Sequence, residues 1–225
     1  MSERTVELAS IPIRPDIDLT ASRNEARAAW DSAMDTVAKQ PGVLSLYWGL
    51  QIEHPNTMQM IVEWDAVASQ TAFTAGPEYL PFVNSLKDVL CGPPSLSNIF
   101  LPAASTSDDD PFVQPVTEIM KAYFPPSSAS STVSSNTHFS QFQAAVGKIP
   151  HLAVKGIVGG WSLVMENGSS SEDIKGQPFA AFIGWPNVEA HEASLKREEF
   201  EKAVKDLRMG ISGAESVHAA LKRVK

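Results

Sequence analysis

Apolar residues follow two different spacings along this chain, and the order of those spacings occurs twice. Between residues 22 and 40, apolar side chains recur at intervals of three and four, which predicts an amphipathic helix. Short apolar runs bounded by turn residues, such as residues 43–52 and 58–64, predict strands. The pattern therefore predicts an α+β protein in which helices lie against antiparallel strands.

The predicted elements have the order strand, helix, strand, strand, helix, strand in each half. In the first half they are a strand at residues 5–13, a helix at 22–40, strands at 43–52 and 58–64, a helix broken by Gly76-Pro77, and a strand at 96–101. In the second half they are a strand at 113–124, a helix at 137–148, strands at 153–165 and 178–185, a helix at 188–209 and a strand at 214–222. This order is typical of the ferredoxin-like fold, in which both helices cover one face of an antiparallel sheet.

The two halves also align with each other, which indicates a tandem duplication. Placing "VEWDAVASQTAFTAGPEYLPFVNSL" over "IGWPNVEAHEASLKREEFEKAVKDL" needs no gap and pairs Trp64 with Trp185. A polar stretch with three consecutive aspartates, "PAASTSDDDP", separates the halves and is typical of a linker. We therefore predict a first ferredoxin-like repeat at residues 1–102, a linker at 103–111 and a second repeat at 112–225.

The helix-free face of each predicted sheet must also be covered. Residues 58–62 and 179–183 are apolar at nearly every position, so both faces of these strands are predicted to be buried. The natural cover for one sheet is the sheet of the other half. The sequence thus predicts a dimeric-type α+β barrel formed within one chain.

Composition and charge exclude several classes of partner. The chain has 18 Lys and Arg against 26 Asp and Glu, a net charge of −8, and no basic cluster that would attract nucleic acid. It has no apolar run long enough to span a bilayer, and its first residues lack the pattern of a secretory signal. We therefore expect a cytoplasmic protein without nucleic-acid or membrane partners, present as a monomeric pseudo-dimer or a homodimer.

One segment carries a resemblance to a known family. A strand ending in Trp185 is followed by a helix with the pattern W-x-x-x-E-A-H-x-x-x-x-x-x-E-x-F, which ends at Phe200. This pattern resembles the antibiotic-biosynthesis-monooxygenase type of dimeric α+β barrel, and the duplicated chain is similar to its two-copy fungal members. The family's two frequent histidine positions are not preserved, because Ser194 and Glu199 stand there in the second half.

The resemblance implies a cofactor-independent monooxygenase-like enzyme that acts on an aromatic polyketide or phenolic small molecule in secondary metabolism. Other proteins of this superfamily have different reactions, so two alternatives stay open. The first is a barrel that is not an oxygenase, such as a cyclase, decarboxylase or isomerase. The second is a stress-response or ligand-binding protein without catalysis.

Each of these reactions needs a base, and three residues are candidates for it. His191 is a candidate because an unperturbed histidine titrates near neutrality. The acids on either side of it are equally consistent with an exposed helix position. His218 points away from the face of its apolar neighbours on the last strand, towards either a pocket or solvent. Glu63 is charged on a strand that should be buried, so it is either paired or functional.

Residues that would contact a substrate are mostly aromatic. They are Trp64, Tyr79, Trp185, Asn84 and Phe200. The chain has no nucleotide-binding loop, no zinc-protease motif, no histidine pair at ligand spacing, and a single cysteine, Cys91. The sequence therefore predicts neither a metal nor an organic cofactor.

The predicted barrel has a consequence for a fragment of the chain. Residues 1–103 expressed alone should aggregate or self-dimerise, because the helix-free face of their sheet would be exposed to water. Light scattering coupled to gel filtration measures the mass of the fragment. A well-folded monomer would show instead that the halves are independent domains.

Overall fold

The computed structural model of the chain describes residues 4–21, 24–102, 110–124, 131–163, 166–167 and 175–225. Within these ranges it has two antiparallel sheets and six α-helices. No helix in the described ranges is both long and apolar enough to cross a membrane. The predicted linker at 103–111 lies almost wholly outside the described residues.

The first sheet contains all strands of the first half and one from the end of the chain. β1 (Arg4–Pro12), β2 (Val43–Leu50), β3 (Thr57–Trp64), β4 (Ser95–Leu101) and β10 (Lys222–Arg223) lie in the order β10-β2-β3-β1-β4. The helices of this half are α1 (Glu25–Ala38), α2 (Val67–Thr74) and α3 (Tyr79–Ser85). Trp30 and Met34 of α1 pack with Met58, Val62 and Trp64 of β3 in one buried core.

The second sheet repeats this arrangement. β5 (Val116–Phe124), β6 (Ile157–Trp161), β8 (Lys175–Trp185) and β9 (Gly213–Ala219) lie in the order β6-β8-β5-β9, and the short β7 (Glu166–Asn167) pairs with β8. The helices are α4 (Ser131–Val146), α5 (Val188–Leu195) and α6 (Glu198–Leu207). The tandem ferredoxin-like arrangement predicted from the sequence is confirmed.

The helix-free faces of the two sheets pack against each other. Their common core has members from both halves: Val6, Leu8, Tyr47, Ile61, Ile99 and Leu101 from the first, and Phe112, Ile119, Val158, Ala180, Phe182 and Ala219 from the second. Two isolated bridges join the sheet edges, Gln51 with Ala219 and Ile99 with Ser162. The barrel is thus closed within one chain.

A glycine stands at each of the two seams between the halves. A Cβ on Gly160 of β6 would lie 1.7 Å from the carbonyl oxygen of Phe100, and one on Gly49 of β2 would lie 2.3 Å from that of Ala220. Both distances are far below any van der Waals contact. Only glycine therefore allows the backbone of one half to approach the other so closely.

Several predicted elements differ from the structure, and the helix predicted at 137–148 begins earlier, at Ser131. The predicted helix at 188–209 is two helices, because Arg197 is extended (φ −86°, ψ 126°) and its guanidinium donates to the carbonyl of Pro150 at 2.9 Å. The predicted strand at 214–222 is divided between the two sheets as β9 and β10. The predicted strand at 153–165 is formed only over Ile157–Trp161 in the described residues.

The seam glycines generate a test of barrel closure. Gly160→Ala should lower the free energy of unfolding by about 3 kcal/mol or more, because its methyl group would meet a backbone carbonyl and not a flexible side chain. Gly147→Ala is the matched control, since its Cβ would come no closer than 3.4 Å to another atom. Urea denaturation measures both variants. Equal stability of the two would contradict this account of the seam.

Candidate functional site

Each half contains a buried tryptophan whose indole N–H donates to a glutamate on the central strand. Trp64 Nε1 lies 3.0 Å from Glu7 Oε2, and Trp185 Nε1 lies 3.0 Å from Glu118 Oε2. Glu7 stands two residues after the strand partner of Trp64, and Glu118 stands two residues after that of Trp185. The two pairs are therefore equivalent under the duplication.

Two further side chains in each half complete this group. In the first half, Gln70 of α2 hydrogen-bonds to the glutamate, and Asn98 of β4 lies opposite it in the sheet. In the second half, His191 aligns with Gln70, and His218 of β9 lies opposite the glutamate. Of the four equivalent positions, two keep tryptophan and glutamate, and the other two hold amides in the first copy and imidazoles in the second.

The first half contains an apolar cavity of about 140 Å³ between its sheet and its helices. Glu7, Trp64 and Tyr79 line it, together with aromatic residues such as Phe73 and Phe82. Burial raises the pKa of Glu7 above its ordinary value, although the hydrogen bonds from Trp64 and Gln70 act in the opposite direction. The cavity therefore combines a carboxyl that holds a proton readily with mostly apolar walls.

The corresponding space in the second half is filled. Only about 10 Å³ is left beside Met120, Phe179 and Leu207. Phenylalanine rings occupy the region, and Phe142 lies 6.2 Å from Phe200 between ring centroids. Among the described residues, the second half leaves much less room for a ligand between this part of its sheet and α6.

The second half instead has a chain of titratable side chains that runs from the buried Glu118 to Glu53 at the surface. His191 Nδ1 lies 2.8 Å from His218 Nε2, and His218 Nδ1 contacts the carboxylate of Glu53. Glu53 also accepts the backbone N–H of His218 at 2.8 Å. At the other end, His191 Nε2 lies 3.5 Å from Glu118 Oε2, and the second oxygen of Glu118 accepts from Ser216 at 2.9 Å.

The carboxylate of Glu53 determines the direction of the hydrogen bonds when both imidazoles are neutral. With both rings neutral, His218 Nδ1 donates to the carboxylate of Glu53, which only accepts, and His218 Nε2 accepts from His191 Nδ1. A neutral His191 then has a bare Nε2 that faces Glu118. Burial lowers the pKa of His191, with the charge of Glu118 opposing that effect. Burial also raises the pKa of Glu53, but the hydrogen bonds from His218 outweigh it and the net pKa is lowered.

The structure separates the residues predicted from the sequence into two groups. Trp64 and Tyr79 line the cavity of the first half. In the second half, Trp185 stacks on His191 with 4.7 Å between ring centroids, and His191 contacts His218. Phe200 packs edge-on against Trp185 at 5.9 Å in the core.

Two predicted residues lie elsewhere. Glu63 forms an ion pair with Arg4 and accepts the hydroxyl of Ser45, and it alternates with Trp64 on β3, so it faces away from the cavity. The paired interpretation of this carboxylate fits the structure better than its role as a base. Asn84 is exposed on α3 and does not line the cavity.

The sequence reasoning missed Glu7, Glu118 and Glu53. A signal existed for the first two, since each is a charged residue within a predicted apolar strand, as Glu63 is. No local signal identifies Glu53, because it lies in the turn after β2 and meets His218 only through barrel closure.

No protein-family model and no curated protein sequence matches the chain. In structure it is similar to an anthrone oxidase-like protein, with a TM-score of 0.67 and 14% identity over 98% of this chain and 93% of that one. It is also similar to a candidate monooxygenase of Lactobacillus acidophilus, with a TM-score of 0.62 and 10% identity over 99% of this chain and 96% of that one. The chain has the fold of the dimeric α+β barrels.

A candidate chlorite dismutase has the same fold, with a TM-score of 0.54 and 11% identity over 99% of this chain and 96% of that one. The neighbours therefore have names that imply different reactions. At such identities the likeness confirms the predicted fold and leaves the chemistry to be inferred from the site.

The raised pKa of Glu7 predicts how Glu7→Gln changes stability with pH. The contribution of the Glu7 titration to the free energy of unfolding is full below the pKa of Glu7 in the unfolded chain, near 4.5. It is lost as the pH rises through the pKa of Glu7 in the folded protein. Glu7→Gln lacks this titration, so its free energy of unfolding relative to wild type should rise from about pH 4 to about pH 8. Urea denaturation measures the difference, with the exposed Asn84→Ala as a pH-independent control. A difference that falls with pH would contradict the raised pKa.

Proposed function

We propose that the first-half cavity is the site of a cofactor-independent, monooxygenase-like reaction on a small phenolic molecule of secondary metabolism. The observation that carries this proposal is the carboxyl of Glu7, with its raised pKa, in a cavity whose other walls are mostly apolar. A base of raised pKa takes a proton from a phenol more effectively than an ordinary carboxylate. In this proposal the protein acts as a monomeric pseudo-dimer, which the supply of both sheets by one chain supports.

The substrate itself supplies the electrons for this reaction. Glu7 takes the phenolic proton, and the anion transfers one electron to O2. The resulting radicals combine at a ring carbon, and the peroxide takes the proton back from Glu7. The hydroperoxide then loses water to leave a carbonyl. A phenol and O2 thus give a quinone and water, with one oxygen atom in each product. The aromatic walls exclude water from the anion.

The size of the cavity favours a substrate with a single ring. Its volume of about 140 Å³ is close to that of an engineered protein cavity of roughly 150 Å³ that binds benzene. A three-ring polyketide is much larger than this. The likeness to an anthrone oxidase-like protein supports the aromatic class of substrate, while the volume favours its smallest members.

Another cavity, between the two sheets, is larger but fits this chemistry less well. It measures about 650 Å³ and has polar residues such as Gln59, Lys121 and Glu215 in its wall. Lys121 is buried and donates to Ser97 at 2.6 Å. Such a wall suits a hydrated polar ligand better than an apolar ring.

The proposal predicts turnover that depends on Glu7. One-ring phenols should consume O2, and with ¹⁸O2 one labelled atom should appear in the quinone by mass spectrometry. Glu7→Gln should lower kcat by about 100-fold or more with little change in KM, as expected for loss of a base. Asn84→Ala is the control and should keep wild-type turnover, since Asn84 is exposed and outside the cavity.

The same assay separates the alternatives. A phenol that binds without O2 uptake and leaves unchanged would favour a ligand-binding protein. A product without added oxygen would favour a cyclase, decarboxylase or isomerase, which also begins from an anion. Wild-type turnover by Glu7→Gln would exclude Glu7 as the base.

A further inference from the structure

We propose that Glu118, His191 and His218 bind a divalent transition-metal ion such as Zn²⁺ or Fe²⁺. This site lies in the second half and does not depend on the function proposed for the first-half cavity. The sequence predicts no metal site, because its histidines are not at ligand spacing. The three ligands come from β5, α5 and β9, and only the fold brings them together.

The distance between His191 and Glu118 favours a metal over a direct hydrogen bond. One ligand atom from each residue lies within 4.8 Å of the other two. His191 Nε2 and Glu118 Oε2 are 3.5 Å apart, which is longer than a hydrogen bond of about 2.7–3.2 Å. Two ligands of a tetrahedral ion with bonds of about 2.0–2.1 Å are roughly 3.3 Å apart. The separation of His191 and Glu118 therefore has the size that such an ion requires, and the ligand atom of His218 lies within 4.8 Å of both.

The outer contacts of the ligands also match those of metal sites. His218 Nδ1 is held by Glu53, which leaves Nε2 with a free lone pair for a metal. Glu118 is held by Trp185 Nε1 at 3.0 Å and by Ser216 Oγ at 2.9 Å. A carboxylate that holds the second nitrogen of a ligating histidine, as Glu53 does for His218, orients the ring and raises its basicity.

Metal binding exchanges one hydrogen bond for coordination. In the bound form the bond of 2.8 Å between His191 Nδ1 and His218 Nε2 is replaced by a bond from each ring to the ion. The ion also offsets the charge of Glu118, a buried carboxylate that lies 3.5 Å from His191 Nε2. Two nitrogen ligands and one oxygen ligand suit Zn²⁺ and Fe²⁺, whereas Mg²⁺ and Ca²⁺ prefer oxygen alone.

The first half supplies a matched variant for the test. Gln70 and Asn98 occupy the positions of His191 and His218 there, so His191→Gln/His218→Asn gives the second half a set of side chains that this fold already accommodates. Far-UV circular dichroism and urea denaturation check that the variant is folded. His54→Ala is the histidine control, since His54 is exposed and lies outside the group.

The experiment adds Co²⁺ to tag-free, chelator-treated full-length protein and follows its visible d–d absorption. We expect one ion per chain, displaced by Zn²⁺ but not by Mg²⁺. The double variant should bind at least about 100-fold more weakly, and Glu53→Gln about 10- to 100-fold more weakly, as an outer contact does. His54→Ala should bind as wild type does.

The outcomes separate this site from the proposed function. Absence of stoichiometric Co²⁺ absorption, or equal binding by the folded double variant, would overturn the metal site. Metal binding without oxidation of any phenol would leave the metal site intact and count against the first-half reaction alone.

Discussion

Both faces of each sheet are apolar, so neither half has a face that it can leave in water. The helices cover one face, and the other sheet must cover the second. This requirement fixes the distance between the halves, since the two sheets must share one core. It also explains the seams, where Gly49 and Gly160 allow backbone to approach backbone. The contact of Glu53 with His218 also depends on this closure.

Closure also assembles groups that belong to different halves. Glu53 follows a strand of the first half, yet it holds the ring and the backbone of His218 in the second. The chain then crosses back, so that β10 completes the first sheet beside β2. The polar group of the second half is therefore a property of the whole barrel.

The two halves keep one interaction and use it differently. A buried indole N–H bound to a glutamate is present in both, at Trp64 and Trp185. In the first half this pair borders a cavity, and its neighbours are amides. In the second half the space is filled with phenylalanine, and the neighbours are imidazoles that approach each other. Duplication thus allows a small-molecule cavity and a candidate metal site in one molecule.

The sequence by itself determined the repeat, the order of elements and the burial of both sheet faces, because apolar periodicity and turn residues are local signals. It also identified Trp64, Tyr79, His191 and His218 as unusual positions. Only the tertiary structure decided that Glu7, and not Glu63, faces the cavity, since that depends on which side of the strand meets the helices. It alone joined Glu53 to His218, because contacts between distant residues arise from packing and leave no local pattern.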